Sequence, residues 1–269
     1  IDSVNFVKLD ILGLDNIQII NETCKLAGID RITPDNLDFN DVSVWEDIAQ
    51  DNTSIFQMES NFAGHIIRQL FSKEVLNRIQ KQIGHIDYLS LFSMANGAIR
   101  PAGESYRDKM CQGIINDNGH PALNNMLSST LGYLVYQEQI IEFLNKFCGF
   151  TMGEADVIRR GFAKKLGTEQ YIPKIRDGFV KTMQEQYNTT KEEAEKIIES
   201  FLKVIEDASD YLFSLNHSLP YSMIGFACGY LRKYYAIEYL TVLLNINEGN
   251  QDKTTKIIEY AKSKGIKLK

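Results

Sequence analysis

Apolar residues recur at helical spacing through the second half of the chain, and this periodicity most limits the folds open to it. Ile140, Ile141, Leu144, Phe147 and Cys148 form one stripe, with Gly149 placed to close that helix. Ala194, Ile197, Ile198, Phe201, Leu202 and Ile205 form another. It follows Thr190 and Glu193, the spacing at which a hydroxyl and a carboxylate satisfy the free amides of a helix start. Helix is also expected from Ser222 to Leu244, from Lys253 to Ser263, and from Asp15 to Gly28. In the last of these Ile17, Ile20, Cys24 and Ala27 keep the period, and Asp15 with Gln18 has capping-box spacing. The contrasting segment is Val4 to Leu12, whose β-branched residues predict a strand. Its alternation puts Val7, Leu9 and Ile11 on one face and Phe6, Lys8 and Asp10 on the other, with Gly13 ending it. The fold class is therefore mainly α with one short N-terminal strand.

Between these landmarks the pattern is less regular. Residues 30–61 carry eight acidic side chains against Arg31 and suggest turns around a short helix near Val44 to Ile48. Phe56 to Leu91 reads as helix in pieces, and Gly97 to Gly119, with Pro101 and four glycines, reads as a long irregular loop. Neither an internal repeat nor a low-complexity segment interrupts the chain.

Several functional classes start from weak ground. The four cysteines are scattered without a CxxC pair, which argues against a disulfide framework or zinc ribbon and fits reduced thiols in the cytoplasm. The most apolar region, Leu219 to Ile246, contains Arg232, Lys233 and Glu238, so it reads as buried helix and no membrane partner is expected. Phosphate-loop, dinucleotide-binding, HExxH and GxSxG patterns are absent, and the four histidines are far apart. The chain opens on Ile1 and closes on lysines, as a piece of a larger protein would. Its net charge of −6 argues against nucleic-acid binding only as an average. Residues 158–182 hold seven basic against two acidic side chains, and 251–269 hold six against two.

Five groups of residues could carry chemistry. Lys8 and Asp10 share a strand face, either as ordinary exposed charges or as a phosphate-facing ammonium beside a Mg²⁺-ligating carboxylate. Tyr136, Gln137, Glu138 and Gln139 precede an apolar helix, either as its N-terminus or as hydrogen-bonding groups facing a polar substrate. Arg159, Arg160, Lys164 and Lys165 crowd four uncompensated cations into seven residues, a solvated face or a polyphosphate site. Arg100 stands beside the rigid Pro101. His217 lies in an aromatic-flanked loop, Phe213 to Tyr221, before a long helix.

In order, these pieces resemble the alpha subunit of bacterial DNA polymerase III, the C-family replicative polymerase. The resemblance rests on Val7 to Leu14, Phe56 to Ser60, Arg100-Pro101, Thr130-Leu131-Gly132 leading into Val135 to Gln139, and Gly149-Phe150. It continues through Ala155-Asp156, Arg159-Arg160, Lys164-Lys165, Phe213 to Tyr221, and Gly265 to Lys267. It implies an internal fragment: the last palm strand at 1–14, helical fingers at 15–165, their continuation at 166–249, and the start of a connection at 250–269. Asp10 would be a catalytic metal ligand serving two Mg²⁺ ions, with the other two palm aspartates upstream. Lys8, Arg100, Arg159, Arg160, Lys164, Lys165 and His217 would face nucleotide or phosphate, and Tyr136 to Gln139 would be a fingers motif. The partners implied are primer–template DNA and deoxynucleoside triphosphates, with replisome subunits such as a sliding clamp held by segments outside this chain. The isolated fragment is expected to be inactive. A different expectation is a non-catalytic helical module that grips DNA or a replisome partner. Leu215 where the family has lysine, Leu131 where an aromatic is common, and Ala102 within a Pro-Gly pattern mark a divergent branch.

Overall fold

The computed structural model describes residues 13–100, 104–164, 167–209 and 212–267, so the expected strand at 4–12 lies outside the described residues. The described chain is mainly helical: α1 Asp15–Ala27, α2 Val42–Gln50, α3 Asn61–Leu70, α4 Lys73–Ile83, α5 Tyr88–Ala98, α6 Glu104–Cys111 and α7 Pro121–Met126. There follow α8 Gln137–Cys148, α9 Met152–Lys164, α10 Ile172–Tyr187, α11 Lys191–Ala208, α12 Leu215–Tyr234, α13 Ala236–Ile246 and α14 Gln251–Ser263. They form two compact units, one running up to Leu37 and resuming at Phe226, the other Asp38–Gly225. Helix α12 contributes to both. Among the described residues no helix is long and apolar enough to cross a membrane.

In the first unit α1 packs on α13, and α13 on α14. Ile19, Ile20 and Cys24 are buried from α1, Tyr239, Leu240 and Leu243 from α13, and Ile257, Tyr260 and Ala261 from α14. The Arg232 guanidinium is buried with them, 4.9 Å from the centre of the Tyr260 ring. Gly28 caps α1 in the left-handed region, as the sequence predicts, but the Asp15–Gln18 capping box does not form: Leu14 is the N-cap and Asp15 is already in the helix. A carboxylate in the first turn favours the helix dipole without bonding an amide.

The larger unit has two aromatic centres. Trp45 lies 5.2 Å from Phe92 and 5.6 Å from Phe71, with its indole N–H donating to Phe39 O at 2.8 Å. The other centre joins α8, α10 and α11, where Phe143 meets Phe201 at 4.6 Å and Phe179 at 5.8 Å. Helices α8 and α10 approach closely at Gly178, where a Cβ would stand 2.2 Å from the Cys148 carbonyl oxygen. The Thr190–Glu193 capping box opens α11 with both reciprocal bonds, and Gly149 ends α8.

Three expectations fail for identifiable reasons. The supposed loop 97–119 contains α6, because Tyr106 and Met110, four residues apart, are both buried and pack that turn onto α3 and α5. Phe213 to Tyr221 is helical from Leu215, because its N-terminus is capped by a carboxylate on a distant helix, as described below. The single helix expected over Ser222 to Leu244 is two, since the Tyr235 backbone leaves the helical region between α12 and α13.

Candidate functional site

The candidate surface lies in the larger unit, where the start of α8 meets the start of α12. An isolated parallel β-bridge pairs Tyr136 with Phe213. Phe213 N donates to Val135 O at 3.0 Å and Gln137 N donates to Phe213 O at 2.9 Å. Beside the bridge the Glu138 carboxylate accepts from Ser214 Oγ at 2.8 Å, Leu215 N at 2.9 Å and Asn216 N at 3.4 Å. These are amides that a helix start leaves unpaired, so Glu138 is the N-terminal cap of α12, supplied from α8. Leu215, where the resemblance leads one to look for lysine, serves the joint through its backbone.

The remaining residues of the expected fingers motif are tied into the protein. Gln139 Oε1 accepts from Val135 N and Tyr136 N, each at 2.9 Å, and its amide donates to Thr130 Oγ1 at 2.8 Å. Tyr136 is buried, its hydroxyl 2.8 Å from Ser93 Oγ, which donates in turn to Ser218 Oγ at 2.9 Å. Burial pushes the Tyr136 hydroxyl up to about 12, against the lowering effect of its bonds to Ser93 and Ser218. It is a neutral hydrogen-bonding group. Tyr136 and Gln139 therefore do not face solvent, whereas Gln137 and Glu138 are half-buried at the surface of the joint.

Arg100 and His217 converge on the ring of Phe213. The Arg100 guanidinium sits 3.9 Å from the ring centre, and the His217 ring meets it edge-on at 5.4 Å. His217 also packs on Tyr221 at 3.9 Å, and Tyr221 on Phe56 at 5.1 Å. Arg107, which the sequence did not single out, holds the backbone below: its Nε donates to Ala98 O at 2.6 Å and Nη2 to Arg100 O at 2.8 Å, while its guanidinium lies 4.9 Å from the Phe62 ring. Phe213 was also missed as a shared support, although the cluster of aromatics around His217 was the available signal.

The basic turn of α9 is not uncompensated. Asp156 takes Arg159 at 2.7 Å on Oδ1 and Arg160 at 2.5 Å on Oδ2. Arg159 Nη1 also donates to Gln137 Oε1 at 3.0 Å, joining α9 to the start of α8. Lys164 is exposed, and Lys165 lies outside the described residues. Further along, Lys174 pairs with Glu154 and Arg176 with Glu199. The basic run is a charge-laced face, because the acids that answer it are contributed by the preceding turn and by α11.

Hydrogen bonds from Arg159, followed by those from Arg160, hold the Asp156 carboxyl below the ordinary carboxylate range. Its contribution is thus present above the unfolded-state pKa of about 4 and lost as pH falls through the lower folded-state value. Near neutral pH the Asp156→Asn variant is expected to be less stable by about 1 kcal/mol or less, as suits a partly exposed pair. In urea titrations that difference should shrink as pH falls below the unfolded-state value of about 4.

Lys8 and Asp10 lie outside the described residues. Among the described residues no group of three or more His, Cys, Asp or Glu side chains could hold a metal ion. The described part of the chain therefore does not fit two Mg²⁺ ions by itself, since a hard divalent ion takes several oxygen ligands.

Residues 106–187 match the family described as the bacterial DNA polymerase III alpha subunit finger domain. The chain is 28% identical over 278 residues to DNA polymerase III subunit alpha of Ureaplasma parvum serovar 3, covering 100% of this chain and 26% of that protein. The namesake protein of Staphylococcus aureus strain MRSA252 is 28% identical over 273 residues, covering 99% and 24%. That of Campylobacter jejuni serotype O:2 is 29% identical over 276 residues, covering 100% and 21%. The chain spans about a quarter of the length of these curated relatives.

Proposed function

We propose that this chain, whose residues 106–187 match a bacterial DNA polymerase III alpha subunit finger domain, is the part of a DNA-directed DNA polymerase that receives the incoming deoxynucleoside triphosphate opposite the template. The observation that carries the reading is the convergence of Arg100 and His217 on the Phe213 ring. Two donors from distant parts of the chain are thereby held near one another on a rigid aromatic support. A stacked guanidinium keeps its edge free for phosphate oxygens, and phosphoryl transfer depends on such fixed donors where negative charge develops. Arg160 and Lys164 add exposed cations on α9, and Gln137 and Glu138 fix how α8, α9 and α12 meet. Asp10 is proposed as one metal-ligating carboxylate of the palm, with Lys8 beside it as a phosphate contact. Mg²⁺, when bound, would supply charge for nucleotidyl transfer through carboxylates beyond those described here.

The test is steady-state primer extension by the full-length polymerase containing this chain. Arg100→Ala and His217→Ala are each expected to raise KM for deoxynucleotide by about threefold to tenfold, the worth of one charge-assisted hydrogen bond. Unchanged values for both would overturn the placement of the nucleotide here.

The pairing of α9 and α10 cations with acids favours a second reading, a non-catalytic module that grips a replisome partner. Absence of an Asp-rich palm motif upstream in the parent, together with no primer extension, would select it.

A further inference from the structure

We infer that Asp156 is a positioning residue that divides its two arginine neighbours between different tasks, holding Arg159 in the joint between α8 and α9 and directing Arg160 outward toward an anionic ligand. The inference rests on the fingers reading of this face. Arg159 spends its donor fork on the protein. Nε and Nη2 both donate to Asp156 Oδ1, at 3.2 and 2.7 Å, and Nη1 donates to Gln137 Oε1 at 3.0 Å. Its side chain is 16% exposed, little enough that an incoming phosphate would have to dismantle the joint to use it. Arg160 differs on each count. Its side chain is 64% exposed and it gives one Nη2 bond, at 2.5 Å, to the other oxygen of the same carboxylate. Its other donors make no hydrogen bond to the described residues.

An exposed arginine on a helix samples many rotamers, and fixing it costs entropy when a ligand binds. A carboxylate one turn earlier that is itself held by a second arginine removes part of that cost in advance. Order is handed from Gln137 to Arg159, from Arg159 to Asp156, and from Asp156 to Arg160. The same carboxylate lies between two cations that would otherwise repel each other, which lets adjacent guanidiniums coexist without a bound phosphate.

The experiment measures KM for deoxynucleotide and kcat separately in primer extension by the full-length polymerase. Arg160→Ala is expected to raise KM about tenfold. Asp156→Asn should raise it about threefold to tenfold with kcat within about twofold, because the lost term is ligand-side order rather than chemistry. Asp156→Glu, which keeps the charge, should remain within about twofold of the parent. The double variant Asp156→Asn, Arg160→Ala should be no worse than Arg160→Ala alone, since residues acting through one another are not additive. An unchanged KM in Asp156→Asn, a fully multiplicative double variant, or equal damage from Asn and Glu would overturn the inference. If Asp156→Asn does not fold, Gln137→Leu gives the same decision: it frees Arg159 while leaving every charge, and should raise KM about threefold. No rise there would equally overturn the inference. Failure of the underlying reading looks different, because Arg160→Ala would then leave KM unchanged by itself.

Discussion

On the proposal that Asp10 ligates Mg²⁺ in a polymerase, primer extension by the full-length parent carrying Asp10→Ala is expected to fall in kcat by at least about a thousandfold, since such a site supplies several kcal/mol of transition-state charge stabilisation. In the strand that the sequence predicts, period-two alternation would group Asp10 with Lys8 and Phe6 and separate it from Val7, Leu9 and Ile11. A carboxylate on that face would have little packing to lose, so the variant is expected to melt at the temperature of the parent. KM for nucleotide should change far less than kcat, because the loss is felt where charge develops. Asp10→Asn keeps the shape and removes the charge, and it should be nearly as slow. A polymerase that keeps more than about a tenth of its activity with alanine at this position would remove Asp10 from the site.

Gly132→Ala is expected to destabilise the larger unit by about 3 kcal/mol or more, enough to lower its melting temperature by roughly 6–12 °C. Gly132 has φ +80°, and a Cβ there would lie 2.1 Å from the Asn116 carbonyl oxygen and 3.0 Å from its carbon. Both obstacles are backbone, so no side chain can swing aside. The neighbours are locked as well. Asn116 N donates to Leu131 O at 2.8 Å, Asn118 Nδ2 donates to Gly132 O at 2.9 Å, and Thr130 Oγ1 donates to Tyr133 O at 2.6 Å. Leu131 itself has φ +53°, so two successive residues already occupy the left-handed region. Thermal and urea unfolding of the variant against the parent measures the loss. A shift below about 1 kcal/mol would show that the turn relaxes without cost.

What was legible in the sequence was whatever local chemistry determines. The Thr190–Glu193 box, the glycine ends at Gly28 and Gly149, and the stripe from Ile140 to Cys148 are short-range devices, and each reads directly from spacing. The failures share the opposite property. Glu138 caps a helix 77 positions away, so nothing within Phe213 to Tyr221 announces that it is helical from Leu215. Helix α6 is held by burial of Tyr106 and Met110 in a segment whose glycines and proline pointed to a loop. The candidate site divides in the same way. Arg100 and His217 could be picked out singly, but their common support on Phe213 is tertiary. The pairing of Arg159 and Arg160 with Asp156, by contrast, was within reach of the i,i+3 and i,i+4 rule and was missed by counting the basic run without the turn before it.

The bridge between Tyr136 and Phe213 has a consequence for the order of assembly. Its flanking bonds link residues as far as 78 positions apart in the chain, as between Asn216 and Glu138. Closing so long a segment carries an entropic cost that only the intervening helices can lower, by packing first on Phe143, Phe179 and Phe201. The surface that collects Arg100 and His217 is therefore a late product of folding. During synthesis it forms only after the ribosome has delivered α12, and nascent chains ending short of Phe213 carry the arginine and the start of α8 without the ring on which Arg100 and His217 meet.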